Sequence, residues 1–266
     1  MPTDTLHIVK VSGKVIEQPE LLKTFVKNFA ALSGRKLLLY SGANLGQTVG
    51  AKLGVKNAKS YLGRPIVDQR VLDVMTMTYA GMVNTTLTAL LQGRKIAAAG
   101  VTGLDMNLVT SVKQDLNGHD MGFTGAVKQV NTAAFARLLD GGTTPVLAPL
   151  SGDGNGGILF NETDAMAAEI AKALALRYDV TLIYCFERRG VLLNPGDNDS
   201  VVATLKRTQY KALREMNIIS DWFVNKLENA YSAIDHGVKE VVITNAAQLA
   251  SPAEGTHIRP SAARQS

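Results

Sequence analysis

The 266-residue sequence holds one cysteine, Cys185. A single thiol excludes a disulfide framework and any metal site built from several cysteines, and it fits a reducing compartment. No run of about 18 apolar residues occurs, so no membrane-spanning helix is expected. Residues 1–10 lack the charged segment and long apolar run of a secretory leader. The expectation is a cytoplasmic protein with no membrane partner. Aromatic residues are scarce, at 6%, and no RNP, zinc-finger or basic-heptad pattern accompanies the net charge of +5. The basic residues are scattered apart from Arg188-Arg189 and the tail. A polyanionic small molecule suits that charge, and no nucleic-acid partner is expected. His7, His119, His236 and His257 show neither HxxxH nor HExxH spacing, so no metal held by the chain is expected.

What is present is a globular composition, 46% apolar and 19% charged, with 24 glycines. The glycines are either turn punctuation or part of loops that hold phosphate. Short apolar runs at 6–11, 37–40, 96–99, 145–149, 180–184 and 241–243 read as strands. Helical periodicity marks 21–32, 47–53, 68–92, 132–139, 164–176, 210–216 and 226–236, and 111–130 reads as a polar hairpin. Asp68 is the expected N-cap of the longest helix and Gly93 its expected stop. The strand at 96–99 is expected to end in Gly100-Val101-Thr102-Gly103. Strands alternating with helices predict βαβ units and a mainly parallel sheet. Such a sheet binds its ligand outside the carboxyl ends of its strands.

The residues just after the strands are therefore the candidates. The first strand carries Lys10 and is followed by Ser12-Gly13-Lys14. The second is followed by Ser41-Gly42-Ala43-Asn44, either a simple turn or an anion site at the start of a helix. No GxxxxGK[ST], GxGxxG or GxSxG occurs, which argues against a Walker loop, a dinucleotide fingerprint and a nucleophile elbow. Asp164 opens a helix, where it either caps the helix or orients lysines at a phosphate site. Lys226 likewise begins a helix, an unfavourable place for a cation unless it faces an anion. Phosphoryl transfer asks the protein for positive charge around the moving group rather than covalent chemistry. Lys10 and Lys226 would supply that charge, with Asp164 holding both ammonium groups. Cys185 reads as a small core residue. Met75, Met77 and Met82 read as packing or subunit contact.

The order of these blocks resembles the amino-acid kinase family, and within it the N-acetylglutamate kinase branch. The matching stretches include His7-Ile-Val-Lys-Val-Ser-Gly13, Leu37-Leu-Leu-Tyr-Ser-Gly42, Gly100-Val-Thr-Gly-Leu-Asp-Met-Asn107, Gly142-Thr-Thr-Pro-Val-Leu-Ala-Pro149, Thr163-Asp164, Arg189-Gly-Val-Leu192, Lys226-Leu-Glu228 and Gly255-Thr-His-Ile258. The resemblance implies a three-layer αβα sandwich around a mainly parallel sheet of about eight strands. It implies one domain over 1–260, with about 1–175 binding the acylated amino acid and 176–260 the nucleotide, and 261–266 a flexible tail. The implied reaction is ATP-dependent phosphorylation of the side-chain carboxylate of N-acetyl- or N-succinylglutamate in arginine biosynthesis, with Mg2+ accompanying ATP. Lys10 and Lys226 match the lysines that stabilise the transferring phosphoryl group, and Asp164 matches the aspartate that organises them. Gly13, Cys185, Phe186, Glu187, Arg188 and Gly190 fall at nucleotide-binding positions. Gly42, Ala43, Arg64, Pro65 and Phe160 fall at substrate-binding positions. The helix at 68–92 matches one that packs across a homodimer interface.

The sequence also departs from the family's pattern. Ser12-Gly13 stands for paired glycines, and Ser41-Gly42-Ala43-Asn44 for a His-Gly-Gly-Gly run. Pro65, beside Arg64, stands for the arginine that binds the substrate carboxylate. Phe160 stands for a substrate-binding asparagine, and Asp221-Trp222 for a Gly-Gly pair. A Cβ in place of glycine hinders close backbone approach to phosphate, and losing the arginine removes bidentate carboxylate binding. The alternative to a kinase is a non-catalytic family member acting as a regulatory, sensor or structural subunit. A fold member acting on carbamate, aspartate or a nucleoside monophosphate is a third class, disfavoured by the segment 63–68.

Overall fold

In a computed structural model, residues 5–194 and 196–260 are described, with Ala43, Asp221, Trp222 and Pro252 described by their backbone alone. The tail 261–266, expected to be flexible, lies outside the described residues. The chain begins β1 (Thr5–Val11), α1 (Gly13–Glu17), α2 (Pro19–Ala31), β2 (Arg35–Tyr40), α3 (Ala43–Lys52), β3 (Lys59–Tyr61), β4 (Arg64–Ile66) and α4 (Gln69–Met75). A π-helical stretch (Thr76–Val83) leads into α5 (Asn84–Gln92), β5 (Ala98–Thr102), β6 (Val109–Leu116), β7 (His119–Val130), α6 (Thr132–Asp140) and β8 (Thr144–Ala148). The remainder is β9 (Leu150–Gly152), β10 (Ile158–Asn161), α7 (Thr163–Leu174), β11 (Asp179–Phe186), α8 (Arg207–Glu215), α9 (Asp221–Asp235), β12 (Glu240–Asn245) and β13 (Thr256–Ile258).

The main sheet has seven strands among the described residues, in the order β13-β12-β11-β1-β2-β8-β5. Only the β12–β13 pair is antiparallel. The expected mainly parallel sheet is therefore present, with seven strands where about eight were anticipated. β6, β7, β9 and β10 form a separate small closed barrel, and β3 pairs with β4 as a hairpin. β1 lies inside the main sheet, between β2 and β11, with Lys10 level with Leu39 and Tyr184.

Side chains of a strand alternate between faces, and that alternation sorts the core into two halves. Leu6 and Ile8 pack with Leu37, Leu39, Leu182 and Tyr184 and with apolar residues of α6, α7 and α9. Val9 and Val11 pack on the opposite face with Leu38, Tyr40, Ile183 and Cys185 and with α2, α4 and α5. This is the three-layer αβα arrangement. Lys10 has the parity of Leu6 and Ile8, so it faces α7 and α9.

Several element boundaries differ from the sequence expectations. α3 begins at Ala43, not 47, and takes in the segment read as a turn. β5 runs through Gly100 instead of ending there. A Cβ on Gly100 would lie 1.9 Å from Asn84 Oδ1, so this glycine makes room for a neighbouring helix inside a strand. Asp68 caps α4 as expected, accepting from Val71 N at 2.9 Å. Gly93 follows the last turn of α5 with φ −61°, so it ends the helix without using left-handed freedom.

Candidate active site

The carboxyl ends of β1, β2 and β11 open into a cavity of about 410 Å³, whose walls include Lys10, Ser12, Gly13, Ser41, Asp164 and Lys226. Lys10 comes from the penultimate position of β1. Asp164 comes from the first turn of α7. Lys226 comes from the second turn of α9. Asp164 Oδ1 lies 2.8 Å from Lys10 Nζ, and its Oδ2 lies 2.5 Å from Lys226 Nζ. The side chains are 7%, 15% and 7% exposed for Lys10, Asp164 and Lys226, so the ion pairs are largely shielded from screening by water. Lys226 also sits over the Tyr184 ring, 4.6 Å from its centroid, a cation–π contact.

Two sequence expectations about helix starts are corrected at this point. The cap of α7 is Glu162, which accepts from Asp164 N at 3.0 Å and Ala165 N at 2.8 Å. Asp164 is thereby free of capping duty, and both its oxygens turn to the lysines. Lys226 does not begin its helix; α9 starts at Asp221. Its opening residues, Asp-Trp-Phe-Val-Asn, are weak helix formers, so periodicity alone did not reach them. Phe223 holds this first turn by packing on Phe186, ring centroids 5.6 Å apart.

Burial pushes the Asp164 carboxyl up, but the charges of Lys10 and Lys226 and their hydrogen bonds outweigh it and hold it well below the usual carboxylate range. Burial lowers Lys226, and the nearby charge of Lys10 adds to that, against the attraction of Asp164. Glu162 is raised by burial and by the charge of Asp164. Two ammonium groups on one carboxylate concentrate positive charge at this centre, which suits an anion in transfer, while Glu17, Glu187 and Lys14 bring the whole cavity lining to three cations and three anions.

Of the positions expected to bind nucleotide, Gly13, Phe186 and Glu187 line the cavity, Arg188 and Gly190 line an adjoining slot, and Cys185 lines neither. Phe186 lines both the cavity and this narrow slot, whose walls include Arg188, Gly190, Leu192, Ile219 and Phe223. At Gly190 a Cβ would lie 2.5 Å from Thr256 Oγ1, so close packing there requires glycine. Glu187 pairs with Lys14 at 3.0 Å across the cavity mouth. Cys185 is buried within β11, and burial pushes its thiol far up, which suits a core residue and no nucleophile.

Two of the five positions expected to bind substrate lie around a second cavity of about 340 Å³. Pro65 and Phe160 line it with Tyr79, Met75, Lys56 and Lys59. Phe160 is buried and packs on the Tyr79 ring at 5.8 Å. Arg64, on β4, is half-buried and is not among the residues lining it. Gly42 stands between the two cavities: its Cα is 3.5 Å from where a Gly13 Cβ would be, and its own Cβ would lie 3.2 Å from the Tyr79 ring. The side chains of Ala43, Asp221 and Trp222 lie outside the described residues. Site-wall residues that no motif singled out are Glu17, Tyr79 and Ile219; no local pattern marks them, since tertiary contact alone brings them in.

Residues 5–245 match the amino acid kinase family. This chain belongs to that family. It is similar to the acetylglutamate kinase of Parabacteroides distasonis, with 43% identity over 246 residues, 92% of this chain and 96% of that relative. The acetylglutamate kinase of Phocaeicola vulgatus is 42% identical over 256 residues, 96% of this chain and 99% of that relative. These relatives place the chain in the acetylglutamate kinase branch. Among solved structures, N-acetylglutamate synthase from Neisseria gonorrhoeae superposes with a TM-score of 0.83 at 21% identity. That match covers 98% of this chain, which spans 61% of the synthase chain. Carbamate kinase from Giardia lamblia superposes with a TM-score of 0.73 at 12% identity, covering 98% of this chain and 100% of that one. The two likenesses carry the amino acid kinase fold. Among the described residues no helix is long and apolar enough to cross a membrane.

Proposed function

We propose that the protein transfers the γ-phosphoryl group of ATP to the side-chain carboxylate of an N-acylated glutamate, as an acetylglutamate kinase of arginine biosynthesis. The observation that carries this reading is the pair of buried lysines on one carboxylate, facing a cavity between the nucleotide-side slot and the Phe160 cavity. A carboxylate oxygen of the acceptor forms a bond to the γ-phosphorus as the bond to the β–γ bridging oxygen breaks, giving an acyl phosphate and ADP. The acceptor is already ionised, so no general base is required. Lys10 and Lys226 are the catalytic residues that offset charge on the phosphoryl oxygens, and Asp164 keeps both ammonium groups in position.

The nucleotide occupies the side of Gly13, Cys185, Phe186, Glu187, Arg188 and Gly190, and the acylated amino acid the side of Gly42, Ala43, Arg64, Pro65 and Phe160. Residues 1–260 act as one domain, with an acceptor lobe to about 175 and a nucleotide lobe beyond. Mg2+ supplies positive charge on the nucleotide's phosphates when bound. Among the described residues no group of three His, Cys, Asp or Glu is placed to hold it, so phosphate oxygens and water would complete its shell. The protein works in the cytoplasm as a homodimer. Met77, Met82 and Leu90, exposed at 52%, 45% and 40% along the 69–92 helix, supply an apolar contact face.

An ADP-release assay with N-acetylglutamate and N-succinylglutamate tests the reading, with hydroxylamine trapping the acyl phosphate. Folded protein that turns over neither acceptor would refute it. The burial of Phe160 against Tyr79 in the acceptor cavity favours a second reading, a non-catalytic sensor. Tight Mg-ATP binding without turnover would select that one.

A further inference from the structure

Every buried backbone donor needs a partner, and at the carboxyl ends of β1 and β2 the amides are already engaged. Ser12 N donates to Cys185 O at 2.9 Å and Ser41 N to Val11 O at 3.1 Å, both as continuations of the sheet. Gly13 N donates to Ser41 Oγ at 3.0 Å. Gly42 packs against the Tyr79 ring, 3.2 Å from where its Cβ would be. At the start of α3, Leu45 N donates to Glu17 Oε1 at 3.3 Å, and Asn44 Nδ2 to Glu17 Oε2 at 2.8 Å. The Gly13 amide and the Leu45 amide at the start of α3 are thus turned onto the protein's own side chains.

Ser41 and Ser12 line the same cavity as Lys10 and Lys226, the Ser12 hydroxyl being covered rather than open to it. Ser41 Oγ accepts from Gly13 and donates to no described residue, so its proton is uncommitted. Ser12 Oγ is buried and has no hydrogen-bond partner among the described residues. A hydroxyl carries one donor and two acceptor sites. Ser41 can therefore take the Gly13 amide on one lone pair and still present its O–H to the cavity. A buried hydroxyl without a partner is costly, and an anion arriving between the lysines would satisfy both.

We propose that Ser41 and Ser12 are catalytic residues that hydrogen-bond the phosphoryl group in transit, their hydroxyls replacing the backbone amides that the loop has turned away. Ser41 passes the polarity of the Gly13 amide through its own oxygen, so the glycine still contributes without touching the anion. The hydroxyl protons stay on their oxygens throughout. The inference rests on the phosphoryl-transfer reading of the same cavity, though not on the identity of the acceptor.

Calorimetry with Mg-ADP, with and without aluminium fluoride as a mimic of the moving phosphoryl group, tests it on the full chain. In Ser41→Ala and Ser12→Ala, affinity for Mg-ADP stays within about twofold of wild type. Affinity for the fluoride complex falls about tenfold in each, the scale of one lost hydrogen bond to a charged group. Ser41→Thr, which keeps the hydroxyl, retains the affinity. With acylglutamate, kcat falls by about ten- to a hundredfold while the acceptor KM is unchanged. Fluoride-complex affinity in Ser41→Ala equal to wild type overturns the proposal, as does Ser41→Gly matching wild type, since a freed amide would then suffice. Wild-type protein that shows no gain in affinity from fluoride overturns it too. If the alanine pattern holds but wild type turns over no acylglutamate, the acceptor assignment falls and the role of the serines stands.

Discussion

Asp164 is ion-paired with two ammonium groups in a setting shielded from solvent, so its removal does more than delete one charge. Asp164→Asn leaves Lys10 and Lys226 side by side with Glu162, which interacts with both, as the remaining nearby carboxyl group. Breaking a buried pair in this way costs roughly 3–5 kcal/mol, and urea denaturation should show a loss on that scale, with turnover falling about a hundredfold or more. The depressed carboxyl also sets a stability window. Its contribution is complete above the ordinary aspartate value of about 3.9 and is lost as pH falls toward the lower folded value. Lys226 works in the other direction. Burial and Lys10 hold it below an ordinary lysine, yet it must be protonated to stabilise the phosphoryl group. The kcat profile should therefore fall on its alkaline side below the ordinary lysine value of about 10.4. Lys226→Arg stays charged there and should move that limb to higher pH; a limb unmoved by the substitution would assign it elsewhere.

At the scale of elements, small-residue positions decide how helices approach the sheet. Gly100 in β5 faces Asn84 of α5, whose Nδ2 reaches Val146 O at 2.7 Å and Tyr40 Oη at 2.9 Å. Gly100→Ala would press a methyl group onto this buried junction. A cost of about 1–3 kcal/mol is expected, measured as a lower urea midpoint with unchanged m-value. The sequence shows the glycine but assigns it to a turn, because a glycine among β-prone residues reads as punctuation. The caps divide in the same way. Asp68 was legible as a cap because nothing else competes for it. At α7, two acidic residues two positions apart compete, and only the fold shows that Glu162 caps and Asp164 turns to the lysines.

At the scale of the molecule, the exposed methionines on the 69–92 helix bear on assembly. Sedimentation should show a dimer for wild type and a monomer for the Met77→Glu, Met82→Glu double variant, since two charges cannot be buried in an apolar contact without partners. A wild-type monomer would remove this face from the assembly.

The sequence by itself determined the alternation of strands and helices, the parallel sheet that follows from it, and the identities of Lys10, Asp164 and Lys226. Those are consequences of local periodicity and of which residues follow the strands. Tertiary structure alone decided that the three meet on one carboxylate, because β1, α7 and α9 are brought together only by packing on a common face of the sheet. It also decided the fate of the loop donors. Whether a glycine amide faces a ligand or a neighbouring hydroxyl depends on contacts such as Gly13 with Ser41, which no spacing along the chain encodes.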